Sequence, residues 1–170
     1  MDNSPGSSRQ FYSPTKGTLS FVEVVRDIAA FIEEDPDRRY KLIVGTDSEA
    51  RAGKDVGFVS VIVVHRVGRA GRYFWTRTKT EKMPSLRQRI YHEAVLSLAL
   101  AEELTHGVGI SLNGYLVNGK CELEIHVDIG QFGPTREMIR EIVGMVTANG
   151  FQCRIKPEAY AASTVADKHV

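Results

Sequence analysis

Tyr40-Lys41-Leu42-Ile43-Val44-Gly45-Thr46-Asp47, residues 40–47, is a short apolar run that ends on an acid and shows no alternation of polar and apolar positions. A strand wetted on one face alternates; one covered on both faces does not, so this run is expected as an interior strand of a sheet with a layer on each side. Two further stretches follow, Gly57–His65 (GFVSVIVVH) and Arg72–Lys79 (RYFWTRTK), both rich in β-branched and aromatic residues. Val67-Gly68-Arg69-Ala70-Gly71 between them suits a hairpin loop. The first three strands are therefore expected to run antiparallel.

Downstream the period changes. Ser85 with Gln88 three residues on marks a helix start, and Leu86, Ile90, Glu93, Ser97, Leu100 and Leu104 then fall on one stripe at 100° per residue. A loop is expected over 107–119. A strand follows over Glu122–Asp128, then a helix from Pro134 or Thr135 with Met138, Ile139, Ile142, Val143 and Val146 inward, closed by Asn149-Gly150. Phe151–Ile155 reads as a last strand and Ala159–Lys168 as a last helix. Upstream, Ser20 and Glu23 form a capping box ahead of Phe21, Val24, Val25, Ile28, Phe31 and Ile32 at helical spacing. Residues 1–17, rich in Ser, Pro and Gly, read as an extended N-terminal segment that can still pack Phe11 and Tyr12, with one domain over 18–170. The order implies a single three-layer α/β domain.

Composition agrees: 170 residues at 42% hydrophobic and 25% charged suit one domain with a real core. The longest apolar stretches are far shorter than the roughly 20 residues that span a bilayer, so no membrane helix is expected. The N-terminus lacks the basic-then-apolar pattern of a secretory signal, which points to a cytoplasmic protein. Cys121 and Cys153 belong to no CxxC and read as buried thiols. Gly53-Lys54 lacks the leading glycine and following hydroxyl of a phosphate-binding loop, so no nucleotide cofactor is expected, and no G-x-S-x-G elbow occurs.

Open α/β sheets place their sites at the carboxyl ends of parallel strands, where Asp47 and Asp128 fall. Taken singly, each equally suits a turn or cap. Glu93 is less ordinary, because it sits in the stripe its helix should bury, while Arg87 and Arg89 point off that stripe. Asp167 near the chain end is a fourth acid. Two like charges 4 Å apart repel by about 4 kcal/mol at an effective dielectric near 20, so a cluster of these acids calls for divalent cations. Two ions of Mg²⁺ or Mn²⁺ suit such ligands and can serve phosphodiester hydrolysis.

The order of strands, helices and acids resembles the ribonuclease H-like fold. The strings Phe-Tyr-Ser-Pro-Thr-Lys-Gly at 11–17, Val-Gly-Thr-Asp-Ser at 44–48, Glu-Ile-His-Val-Asp-Ile-Gly at 124–130 and Ala-Ala-Ser-Thr-Val-Ala-Asp-Lys at 161–168 resemble the YkuK family of predicted ribonuclease H-like proteins. The resemblance implies a five-stranded mixed sheet, three antiparallel strands then two parallel, flanked by helices and carrying an extra N-terminal helix. It implies Asp47, Glu93, Asp128 and Asp167 as the catalytic, metal-holding acids of a two-metal nuclease acting on RNA, an RNA/DNA hybrid or structured DNA. A non-catalytic module that binds nucleic acid or a protein is the alternative.

Charge is uneven along the chain. The net charge is +1, yet residues 66–89 hold eight of the 22 Lys and Arg against one acid. Arg72, Trp75, Arg77, Lys79 and Lys82 are the candidate nucleic-acid contacts, since cations bind phosphates and aromatic faces stack bases. A charged edge protected from strand pairing explains the same residues. His126 shares a strand face with Asp128 and is a candidate accessory group, although such a histidine is more often packed and hydrogen-bonded.

Overall fold

A computed structural model describes residues 9–50 and 55–169, without the side chains of 79–81, 108–117, 162 and 163. The elements are β1 (Gln10–Ser13), β2 (Gly17–Ser20), α1 (Phe21–Glu33), β3 (Tyr40–Ala50), β4 (Asp55–Arg66), β5 (Gly71–Lys82), α2 (Leu86–Val117), β6 (Cys121–His126), α3 (Ile139–Ala148) and β7 (Gln152–Arg154). A 3₁₀ turn over Arg136–Met138 leads into α3, and the chain closes with a π-helical turn over Ala161–Ala166 and a 3₁₀ turn over Asp167–His169.

One sheet organises everything, in the order β2-β1-β5-β4-β3-β6-β7. The run 40–47 is its interior strand, antiparallel to β4 on one side and parallel to β6 on the other. With β5 and β7 this gives the expected core of three antiparallel then two parallel strands. The strand count differs: seven rather than five. Part of the segment 1–17, expected as an extended lead-in, is extended but paired: residues 10–20 form a hairpin that adds to the edge of β5 through Tyr12 and Trp75. Phe11 drives this, being fully buried in the main core.

The two layers are unequal. α1, α2 and α3 all cover one face, where Leu42, Val44, Ile62, Val64 and Phe74 meet Val24, Ile28, Ile32, Leu100, Leu104 and Ile142. The opposite face carries Ile43, Val59, Val61 and Val63, and it is covered by Ala161 and Ala166 of the C-terminal turns. Alternation along β3 therefore assigns sides: Thr46 and Ser48 face the helices, while Asp47 shares the face of the C-terminal turns.

Both predicted caps are present. Ser20 accepts the Glu23 amide at 3.3 Å while Glu23 accepts the Ser20 amide at 2.7 Å, a box contributing about 1 kcal/mol. Ser85 accepts the Gln88 amide at 3.2 Å. α2 departs from expectation at its far end, running on to Val117 through the stretch read as a loop. Gly107, at the start of that stretch, serves a helix contact. A Cβ there would stand 3.1 Å from Val25 and 3.2 Å from Phe21, so its absence lets α2 lie against α1. Among the described residues no helix is long and apolar enough to cross a membrane.

Candidate functional site

Parallel pairing of β3 with β6 ends at Gly45 and His126. Asp47 and Asp128 each lie two residues further on, and the charge of Asp128 acts on the Asp47 carboxyl. Neither sits as the sequence suggested. β3 continues past Asp47 to Ala50 because β4 keeps pairing with it, and β6 stops before Asp128. The relevant end is that of the parallel pairing, not of either strand as read.

Asp47 Oδ1 accepts the Ser48 amide at 2.8 Å. Burial pushes the Asp47 carboxyl up to about 6, and the charges of Asp128 and Asp167 add to the rise against the opposing Ser48 amide and Arg89. Asp167 is exposed on the turn that covers this face, and it acts on Asp47 through its field. Asp47 thus lies within the fields of both Asp128 and Asp167.

Glu93 approaches from the other side. It is 2% exposed, held by a 2.5 Å hydrogen bond that Ser48 Oγ donates to Oε1, while its Oε2 is buried without a hydrogen-bond partner. Burial lifts its carboxyl to about 8, with Asp47 and Asp128 contributing and Ser48 and Arg89 opposing. A second hydroxyl contact fixes the helix beneath it: Ser97 Oγ donates to Thr46 Oγ1 at 2.9 Å, and Thr46 shares a further bond with Ser60. Four residues of helix advance about 6 Å and two of strand about 6.6 Å, so Glu93 and Ser97 match Ser48 and Thr46 along the α2–β3 seam.

Two cations sit among these acids. Lys156 Nζ lies 2.9 Å from Asp128 Oδ1. Arg89, expected to point away, donates to Ser48 Oγ at 3.2 Å and to the Ser48 carbonyl at 3.0 Å. Among the described residues no three His, Cys, Asp or Glu side chains stand in metal-holding geometry. The donor chemistry nonetheless suits a hard divalent cation: the acids offer oxygen ligands only, and Glu93 Oε2 is buried without a hydrogen-bond partner.

The basic hairpin is largely spoken for. Arg72 pairs with Asp27 and Glu34, each at 3.0 Å. Arg66 donates to Tyr40 and to the Phe31 carbonyl and lies over the Phe31 ring. Trp75 is stacked with two rings, Tyr12 at 4.7 Å and His169 at 4.5 Å and 11°. Arg77 donates to the His169 carbonyl at 2.6 Å. The row Asp47–Val59–Arg77 crosses three strands on the acid-bearing face, which puts Arg77 roughly 10 Å from Asp47. Lys82 is exposed; the Lys79 side chain lies outside the described residues.

His126 is engaged at both nitrogens. Nε2 is 3.2 Å from Glu124 and Nδ1 accepts the Ala161 amide at 3.3 Å, while burial lowers its pKa against the pull of Glu124. It fastens the C-terminal turn that carries Asp167 and has no nitrogen free for proton transfer. Glu124, equally buried, is drawn up by burial but lowered on balance by hydrogen bonds from Lys41, His126 and Arg154. The residues that the sequence did not single out are Ser48, Arg89, Lys156 and Glu124. Arg89 had a local signal, one helical turn before Glu93; Lys156 had none.

The model of the "Ribonuclease H-like" family matches residues 23–170. "Uncharacterized protein YkuK" of Bacillus subtilis (strain 168) is 29% identical over 165 residues, covering 93% of this chain and 95% of that protein. No solved structure matches. A family match spanning all four acids, joined to this full-length likeness, establishes that the chain belongs to the ribonuclease H-like family, as its YkuK-like motifs implied.

Proposed function

We propose that the chain hydrolyses phosphodiester bonds of nucleic acid, with RNA, an RNA/DNA hybrid or structured DNA as substrate, using two Mg²⁺ or Mn²⁺ ions held by Asp47, Glu93, Asp128 and Asp167. The observation that carries this reading is that two acids, each raised chiefly by burial, lie in the fields of the others: Asp47 feels Asp128 and Asp167, and Glu93 feels Asp47 and Asp128. Glu124, hydrogen-bonded by Lys41, His126 and Arg154, is instead lowered on balance. Bound divalent ions supply charge neutralisation and a water acidic enough to attack at neutral pH. The chain's own residues do the rest. Asp47 and Asp128 would hold the ions beyond the parallel pairing, the Ser48 hydroxyl fixes the Glu93 carboxyl that would orient the water, and Asp167 would complete the set from the C-terminal turn.

A second reading, a non-catalytic module that binds nucleic acid or a protein, is favoured by the Lys156–Asp128 pair, which already places a cation at one ligand. Cleavage separates the two. Labelled RNA, RNA/DNA hybrid, single-stranded, duplex and branched DNA are incubated with Mg²⁺ or Mn²⁺ and wild type or Asp47→Asn. Hydrolysis by wild type that the variant lacks supports the nuclease; no hydrolysis of any of them favours the binding module.

A further inference from the structure

The loop that leaves Asp128 carries an exposed aromatic ring. Phe132 is 91% exposed, against 56% for Val22, the next most exposed large hydrophobic among the described residues. Single exposed apolar residues are common on protein surfaces, so exposure alone says little. Its setting says more. Phe132 stands between two clefts, one of about 420 Å³ that Arg136 and Arg140 line with Glu137, and one of about 380 Å³ that Lys156 lines. Gln131 borders both. Arg136 and Arg140 are exposed, and among the described residues neither has an ion-pair partner.

The loop is anchored at its base. Lys156 donates its amide to the Ile129 carbonyl at 2.8 Å, and a Cβ on Gly130 would stand 3.3 Å from Lys156 Cβ, so the two segments approach as closely as a bare glycine allows. The same Lys156 reaches Asp128, which connects this surface to the acids. Four residues separate Phe132 from Asp128 and span at most about 14 Å, or about four nucleotides of a helical strand at 3.4 Å each.

We infer that the Phe132 loop is a nucleic-acid contact, in which Phe132 stacks on a base of the bound strand and Arg136 and Arg140 neutralise its phosphates. The inference deepens the proposed function by placing the strand's path, and it moves the main stacking platform away from the basic hairpin. There Trp75 is already stacked by Tyr12 and His169, and Arg66 and Arg72 are committed to α1, whereas the Phe132 ring is open and among the described residues its flanking arginines have no ion-pair partner. Cations beside a bare aromatic ring match a strand of phosphates and bases better than an apolar protein face.

The test measures binding of a labelled, non-cleavable 2′-O-methyl oligonucleotide by fluorescence anisotropy in Mg²⁺, using the full chain. Phe132→Ala is expected to weaken binding by about 5- to 100-fold, as loss of one stacked base does, with Phe132→Trp restoring it and the thermal midpoint unchanged in both. Arg136→Gln with Arg140→Gln is expected to lower the salt slope by about 1.4, roughly 0.7 per phosphate. Equal affinity and salt slope in wild type, Phe132→Ala and the arginine variant overturn the inference, and if Asp47-dependent cleavage is still seen the nuclease reading stands without it. No oligonucleotide binding by wild type also overturns it and leaves this surface to a protein partner.

Discussion

Lys156 Nζ lies 2.9 Å from Asp128 Oδ1, so the acid whose charge acts on Asp47 is already paired with a side chain from the segment that follows the neighbouring strand β7. An ammonium there occupies the charge environment a divalent ion would take, and the two compete. Lys156 is half-exposed on a flexible stem, so the competition is reversible and weak.

Removing that competitor has a direct consequence. Lys156→Gln is expected to lower the Mg²⁺ concentration that half-saturates thermal stabilisation by several-fold, while reducing the metal-free midpoint at pH 8. Thermal unfolding titrated with Mg²⁺ checks this; an unchanged half-saturation point would detach Lys156 from the site.

Glu93 makes a pH-dependent prediction. Its folded pKa of about 8 lies above the ordinary 4.5, so the folded chain favours the protonated form and stability falls as pH rises from the ordinary value through about 8. Glu93→Gln keeps the shape and removes the charge. In metal-free buffer the variant is expected to match wild type near pH 5 and to exceed it at pH 8.5 by about 1–2 kcal/mol, roughly 3–6 °C at this chain length. Added Mg²⁺ is expected to raise wild type and leave the variant unchanged. A variant less stable than wild type at pH 8.5 would make Glu93 a structural partner of Ser48.

Arg66 tests whether the hairpin's charge is structural. Its guanidinium bonds Tyr40, Phe31 and Glu34 and covers the Phe31 ring. Arg66→Gln is expected to cost about 1–2 kcal/mol of stability and to leave the salt dependence of oligonucleotide binding unchanged. Urea unfolding and anisotropy together decide it; a stable variant with a flatter salt slope would return Arg66 to the nucleic-acid footprint.

His126 holds the C-terminal turn by accepting the Ala161 amide. His126→Phe leaves that amide unsatisfied inside the core. Faster hydrogen exchange over residues 161–169 is expected, with little change in β3 and β4. Uniform exchange across the chain would show that the turn is held by Ala161 and Ala166 packing alone.

Much of this arrangement is written in local patterns. The unbroken apolar run at 40–47 identified the interior strand, the Ser20–Glu23 box placed α1, and Glu93 stood out because a carboxylate interrupted a buried stripe. What stayed hidden depends on contacts distant in sequence. Four-residue strands such as β1 and β2 are too short to show a period, so the hairpin was read as a lead-in. Gly107 began the stretch read as a loop, yet it lies in α2 against α1. Lys156 reaches Asp128 from 28 residues away, and Arg89 reached Ser48 by its long stem despite a Cα off the buried stripe. The arginines of 66–89 formed a charge run in sequence, but α1 claims two of them.

The proposed hydrolysis requires Asp47, Glu93, Asp128 and Asp167 to hold divalent metal. Calorimetric titration of Mn²⁺ into the full chain at pH 8, beside Asp47→Asn, measures this. Saturable binding near two ions per chain is expected, which Asp47→Asn abolishes or weakens at least tenfold in affinity; no binding to wild type, or binding that the variant retains in full, would refute a metal site at these acids.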